Sequence, residues 1–151
     1  MRTNFNADNS NTIPMEAQKE LEIVMVDNGA STPYTDVIVD CSGSMGAKMG
    51  NSGTRIAFTM NLLKTLQEQG HVNGDTLIHG FCHFYRGCVP MKLLRPGSKM
   101  FEVGGGTTPG AALKHVSDVS STLAIMDMFE DSDLKSSITT PYDCIFYGAT
   151  V

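Results

Sequence analysis

Residues with the types and spacing of a metal-binding loop follow one short apolar run. The run covers residues 36–39, and Asp40, Ser42 and Ser44 come directly after it, each two residues from the next. One carboxylate and two hydroxyls are hard oxygen donors, which suit Mg²⁺ or Mn²⁺ better than zinc or copper. Open α/β sheets bind their ligands at the carboxyl ends of strands. The sequence therefore predicts a divalent-cation site at the end of a buried strand.

The elements that must position this loop indicate an α/β fold. Residues 36–40 form a short apolar run of β-branched residues, which predicts a strand. A helix is expected to run to about Gln69, with Thr54 or Ser52 as its N-cap and Gly70 after its end. The other predicted elements are strands at 76–84, 88–94 and 144–151 and a helix at 108–127. Residues 21–26 fit either a strand, which would form a hairpin with 36–40, or the end of a helix begun at Met15. We expect an open Rossmann-like sheet, mostly parallel with one antiparallel edge strand formed by a hairpin, and helices on both faces.

Composition and charge narrow the class of protein. The chain has 151 residues, of which 41% are hydrophobic and 18% charged, as in a globular domain. The net charge is −5 and basic residues do not cluster, so nucleic acid is not an expected partner. The sequence has neither an apolar run of membrane-span length nor a signal-peptide core. We expect a flexible arm at residues 1–14, a single domain at 15–151, and a cytoplasmic or virion protein.

Four cysteines raise the alternative of a zinc site. Only Cys82 and Cys88 lie close together, with His79 and His83 nearby. Their spacing is wrong for a zinc knuckle, and the two histidines alternate with Phe81 as in a strand. We interpret the cysteines as small apolar side chains, most of them in or beside strands.

Two motifs together resemble the metal-ion-dependent adhesion site of the von Willebrand factor A family. The first is Asp40-Cys41-Ser42-Gly43-Ser44-Met45, and the second is Gly105-Gly106-Thr107 with the Pro-Gly-Ala-Ala-Leu that follows it. The resemblance covers about residues 34–151. It implies that Asp40, Ser42, Ser44 and Thr107 hold Mg²⁺ or Mn²⁺, with Thr108 as a one-residue alternative to Thr107.

One position of the family's site has no evident match in this sequence. The family places an acidic residue just beyond its fourth core strand, and here residues 144–151 are predicted to be that strand. Asp143 lies at its wrong end, and three further acids precede it: Asp127, Asp131 and Asp133. We therefore expect a C-terminally truncated domain that lacks the family's last strands. Its terminal strand would be an open edge that pairs with a second polypeptide or a second copy of the chain.

The resemblance implies a binding function rather than a reaction. Neutral hydroxyls leave the cation short of negative charge, so it would bind an Asp or Glu carboxylate of a partner protein. Intracellular members of the family commonly work beside AAA⁺ ATPases, which is a further expected partner class. The alternative is a structural or assembly subunit, for example of a virus particle, that keeps the fold without the metal.

Other chemistry is less well supported by the residues. Asp and Ser also cap turns without any metal, which is the simplest competing interpretation of the first motif. The glycines before Thr107 and Thr108 lack the lysine of a phosphate-binding loop. A metal-dependent hydrolase would need a general base near Asp40, and no motif supplies one. We therefore do not expect an enzyme.

Overall fold

A six-stranded sheet forms the centre of the fold. The computed structural model describes residues 21–24, 33–48, 53–95, 97–127 and 143–147. The strands are β1 (Leu21–Val24), β2 (Asp36–Asp40), β3 (Leu77–Phe81), β4 (Tyr85–Pro90), β5 (Thr122–Asp127) and β6 (Asp143–Tyr147). The helices are α1 (Arg55–Glu68) and α2 (Gly110–Leu113), and the strand order is β1-β6-β5-β2-β3-β4.

The strand directions confirm the predicted α/β class. Strand β2 is parallel to both β3 and β5, and β5 is parallel to β6. Antiparallel pairs occur only at the two edges of this sheet, β4 against β3 and β1 against β6. The sheet is thus mostly parallel and Rossmann-like, with one more antiparallel edge strand than the sequence predicts.

Strand β2 lies at the centre because both of its faces are covered. All five of its residues are buried. Val37 and Val39 pack in the core beneath α1, whereas Ile38 belongs to a second core on the opposite face, beside Ala112 of α2. Parallel strands with two covered faces are typically continuous apolar runs, which explains why this strand is evident in the sequence.

Helix α1 agrees with the prediction at both ends. Thr54 is its N-cap and accepts a hydrogen bond from the Ala57 N–H at 3.2 Å. Gly70 follows the helix with a φ of +84°, the left-handed conformation that favours glycine. The buried stripe is centred on Leu62, Leu63 and Leu66, and the predicted Ile56 and Met60 lie at its half-buried margin. No helix in the described ranges has the length and apolar character needed to cross a membrane.

The predicted helix at 108–127 is wrong over most of its length. Helix α2 covers only Gly110–Leu113, and Thr122–Asp127 is strand β5. Residues 122–126 are all buried, because β5 lies between β2 and β6. A strand buried on both faces has no alternating pattern, and its apolar run also fits a helical stripe. Asp118 separates the two elements, since its carboxylate caps the 3₁₀ turn Val119–Ser121.

The open edge that we expected at residues 144–151 is filled over residues 144–147. Strand β6 pairs with β5 on one side and with β1 on the other. The predicted hairpin between residues 21–26 and 36–40 is also wrong, because β1 pairs with β6 instead. Residues 148–151 and the predicted arm at 1–14 lie outside the described residues.

The hairpin of β3 and β4 exists but is shifted relative to the prediction. Its turn lies at residues 82–84, not between residues 84 and 88 as the predicted strand bounds require, and Arg86 and Gly87 are part of β4. Gly87 faces Gly80 across the pair, where the register shifts. In the sequence a glycine at position 87 is typical of a turn, but here Gly80 and Gly87 mark an irregularity in the pairing of β3 with β4. Residues 91–93 form a 3₁₀ turn rather than the end of a strand.

Candidate metal site

Asp40 is the last residue of β2 and is fully buried. One oxygen of its carboxylate, Oδ1, accepts a hydrogen bond from the Ser42 N–H at 2.8 Å. This contact turns the chain sharply at the carboxyl edge of the sheet. By itself it is the turn-capping arrangement that needs no metal. The case for a cation site therefore depends on the oxygen atoms around it.

The hydroxyls of Ser42 and Ser44 lie side by side. Their Oγ atoms are 3.1 Å apart, and either hydroxyl can be the donor. Two neighbouring ligands of an octahedral Mg²⁺ ion, each about 2.1 Å from the metal, are about 3 Å apart. Ser42 is 2% exposed, whereas Ser44 is exposed, so the pair borders solvent on one side. The separation of these oxygens fits a divalent cation.

The turn that carries these serines is anchored from both sides. Met45, next to Ser44, is fully buried in the core beneath α1. The N–H of Arg55, the first residue of α1, donates to the Ala47 carbonyl at 2.9 Å. These contacts hold the 3₁₀ turn Gly43–Gly46 in place, so the serine hydroxyls need little reorganisation before binding.

The loop that carries Thr107 is joined to the serine turn by backbone hydrogen bonds. The Gly43 N–H donates to the Gly105 carbonyl at 3.1 Å, and the Gly104 N–H donates to the Cys41 carbonyl at 2.8 Å. Thr107 is half-buried two residues beyond Gly105. The structure thus brings the two predicted motifs together, although they are more than sixty residues apart in the chain.

Only glycine can occupy position 105 in this arrangement. Its φ is +84°, and a Cβ atom there would lie 2.5 Å from the His83 Nδ1. A side chain would be strained by the backbone and would also displace the His83 ring. The glycine-rich sequence before Thr107 therefore permits a close approach between this loop and the turn after β3.

Asp127 is a site candidate that the sequence interpretation set aside, because it precedes the strand predicted at 144–151. It is the last residue of β5, the strand beside β2, and its backbone faces Tyr147 of β6. The register pairs Val39 with Ile125, which puts Asp127 at the same sheet edge as the turn after Asp40. As at Asp40, an apolar run precedes this Asp, but the run from 122 to 126 also fits a helical stripe, so local sequence did not identify the strand.

A second polar cluster lies on the sheet face beside α2. His79 Nε2 lies 2.7 Å from the Asp36 Oδ1, and His79 Nδ1 lies 2.9 Å from the Tyr85 hydroxyl. Asp36 and His79 are both fully buried, and the Tyr85 ring stacks on His115 at 3.7 Å. Burial, together with a hydrogen bond to Cys88, raises the pKa of Tyr85 above its ordinary value. Each ring nitrogen of His79 thus has a hydrogen-bond partner within the protein, Asp36 at Nε2 and Tyr85 at Nδ1.

His79 of this cluster is also one of the residues that raised the alternative of a zinc site, together with Cys82 and Cys88. Among the described residues, no group of three or more His, Cys, Asp or Glu side chains is placed to hold a metal. Cys82 is buried, whereas Cys88 is exposed, and neither forms a disulfide.

Cys41 and Cys88 are expected to differ in reactivity. Burial, augmented by the charge of Asp40, raises the pKa of the Cys41 thiol from 9.0 to about 12. Thiolate is the reactive form, so iodoacetamide at about pH 8 should modify the exposed Cys88 and spare Cys41. The folded protein holds the Cys41 proton more tightly than the unfolded chain does, so the stability of the fold decreases as the pH rises from 9.0 towards 12.

Peptide mapping by mass spectrometry after timed alkylation checks the difference. Cys88→Ser is the control, since it should remove the fast-reacting site without exposing Cys41. Equal labelling of both cysteines in the folded protein would contradict the expected burial.

Comparisons with known proteins return no relative. No family model, curated protein or solved structure matches this chain. The function must therefore be argued from the geometry of the site and from its two motifs.

Proposed function

We propose that this protein is a non-catalytic interaction module that binds an acidic residue of a partner protein through Mg²⁺ or Mn²⁺. Asp40, Ser42, Ser44 and Thr107 are the proposed ligands. The observation that carries the proposal is the 3.1 Å separation of the two serine hydroxyls, next to a buried carboxylate at a strand end. Hard oxygens in this geometry suit a small divalent cation.

Each residue has a distinct part in this proposal. The Ser42 and Ser44 hydroxyls are neutral donors already held at the spacing of adjacent ligands. Asp40 provides negative charge and orients the turn through the Ser42 N–H. A divalent cation held mostly by neutral oxygens attracts a further carboxylate, which a partner's Asp or Glu supplies. Ser44 is exposed, so the site is accessible to such a group.

We extend the ligand set to Asp127. When β2 is counted as the first core strand, β3, β4, β5 and β6 become the second to the fifth. The order across the sheet is then 3-2-1-4-5, with β1 at the outer edge. This order supports the resemblance, because the family's sheet begins in the same way. Strand β5 is then the fourth core strand, and Asp127 is its last residue, next to the position where the family carries its acid. An AAA⁺ ATPase as the partner rests on the resemblance alone.

Calorimetric titration of Mg²⁺ and of Mn²⁺ into metal-free protein tests the proposal. We expect saturable binding, weakened by about tenfold or more in the Ser42→Ala/Ser44→Ala variant, because water replaces only part of what the hydroxyls supply.

The matched control is Ser120→Ala/Ser121→Ala. The hydroxyls of these serines donate to the carboxylate of Asp118, but the two residues precede β5 at the opposite edge of the sheet. Equal losses in the two double variants, or no binding by the unaltered protein, would contradict the proposed function.

A further inference from the structure

Two large apolar side chains are exposed beside the candidate metal site. Phe84 is 50% exposed and lies in the turn after β3, and Val103 is 37% exposed and precedes Gly104. Leu93, at 55%, is the other large apolar side chain exposed in the described ranges. Leu93 lies at the opposite sheet edge, because β4 ends where Pro90 pairs with Leu77, the first residue of β3. Phe84 and Val103 thus lie beside the candidate site, and Leu93 is a matched control far from it.

Phe84 and Val103 adjoin the loops that carry the proposed ligands. A Cβ atom on Gly46 would lie 3.3 Å from the Val103 Cγ2, so Val103 packs against the serine turn. The Phe84 ring contacts the His83 ring edge-on, with centroids 4.8 Å apart. His83 in turn lies against Gly105, in the loop that carries Thr107. We call Phe84 and Val103 the apolar rim.

Basic charge accompanies this rim although the whole chain carries −5. The guanidinium carbon of Arg86 lies 5.7 Å from the centre of the Phe84 ring. Arg86 also donates to the carbonyl oxygens of Glu102 and Lys99, which ties the Val103 loop to the hairpin. Lys48 is exposed just after the serine turn. Arg86 and Lys48 thus place basic charge near the rim, where the exposed Glu102 is an acidic neighbour of Val103, and this basic charge complements an acidic ligand.

We infer that the partner is a protein segment in which one Asp or Glu is flanked by apolar side chains that pack on Phe84 and Val103. The inference rests on the proposed function, because the carboxylate is the group that the cation binds. Mg²⁺ gives up its water reluctantly, so a lone carboxylate binds weakly. Apolar neighbours bury surface and exclude water from the contact, and such neighbours carry much of the affinity of an interface.

Two capped pentapeptides serve as probes in a nuclear magnetic resonance titration of the full chain with saturating Mg²⁺. One has a central Asp flanked by Gly, and the other has Leu at both neighbouring positions. We expect the Leu-flanked peptide to bind at least about fivefold more tightly. Phe84→Ala and Val103→Ala should each remove most of this advantage, whereas Leu93→Ala should retain it. Mn²⁺ affinity, measured by calorimetry, should be the same in all three variants.

The outcomes separate this inference from the proposed function. If Mg²⁺ and Mn²⁺ do not bind the unaltered protein, both fail. If the metals bind but the two peptides have equal affinity, or Leu93→Ala is as harmful as Phe84→Ala, the inference alone fails. It also fails if the protein self-associates in sedimentation and Phe84→Ala abolishes that association, since the rim then contacts a second copy.

Discussion

Replacement of Asp36 by Ala is expected to lower the free energy of unfolding by about 1–3 kcal/mol, because the buried His79 loses a hydrogen-bond acceptor. The Asp36 carboxylate accepts from His79 Nε2 at 2.7 Å and from the Ser117 N–H and Oγ at 3.2 and 2.9 Å. It also accepts from the Thr35 hydroxyl at 3.0 Å. A carboxylate oxygen accepts, so Nε2 is the donor to Asp36, and Nδ1 lies 2.9 Å from the Tyr85 hydroxyl.

This hydrogen-bond network connects several elements of the fold. It joins β2, β3, β4 and the segment after α2 on one face of the sheet. Loss of the carboxylate leaves the buried His79 Nε2 without its acceptor, and an unsatisfied buried donor costs about 1–3 kcal/mol. Ser117 and Thr35 are exposed, so water can replace their hydrogen bonds to Asp36. Asp36→Asn keeps one acceptor oxygen and should be milder, so it remains measurable if the Ala variant does not fold.

The control for this prediction is Asp75→Ala. Asp75 also forms an ion pair, with the Lys92 Nζ at 3.0 Å, but the two side chains are 85% and 61% exposed. An exposed pair of this kind contributes at most about 1 kcal/mol. Urea unfolding of the three variants provides the comparison. Equal losses for Asp36→Ala and Asp75→Ala would show that the buried network does not stabilise the fold.

Replacement of Asp127 by Asn is expected to weaken Mg²⁺ binding by about a hundredfold, the largest effect that we predict for a single residue at the site. The proposed ligands include two serines and a threonine, so the negative charge comes from few groups, and cation affinity depends strongly on ligand charge. Water can take the place of a lost hydroxyl, but it cannot restore a lost charge. The change from Asp to Asn removes the charge and keeps the size.

Asp143→Asn is the matched control for Asp127. Asp143 begins β6, the strand beside β5, and therefore lies at the amino edge of the sheet, opposite the candidate site. Calorimetry on both variants, with Mn²⁺ as a second ion, should show a loss only for Asp127→Asn. Unchanged affinity in Asp127→Asn would remove this residue from the proposed ligand set while leaving the four sequence-derived residues to be tested separately.

The two motifs of the candidate site were evident from local sequence for a physical reason. A buried parallel strand is a short run of β-branched residues, so residues 36–40 stood out, and Asp40, Ser42 and Ser44 followed directly. Helix α1 was also predictable from local sequence, because Thr54 and Gly70 mark its ends by local capping chemistry. In each case the signal is carried by residues that are neighbours in the chain.

Strand β5 was missed because its signal is not local. Its run from Thr122 to Met126 fits a helical stripe as well as a buried strand, and only its place between β2 and β6 decides the matter. This single error also displaced the strand count. It left the acidic position without a candidate and made residues 144–151 the expected open edge.

The sequence by itself therefore determined the α/β class, helix α1 and the cluster of oxygen donors after β2, because capping and strand-end chemistry act over a few residues. Only the tertiary structure decided which strands are neighbours. It paired β6 with β1, put Asp127 at the edge that carries Asp40, and brought Phe84 and Val103 to the same site. Contacts between residues far apart in the chain depend on the packing of whole elements, and no short stretch of sequence encodes them.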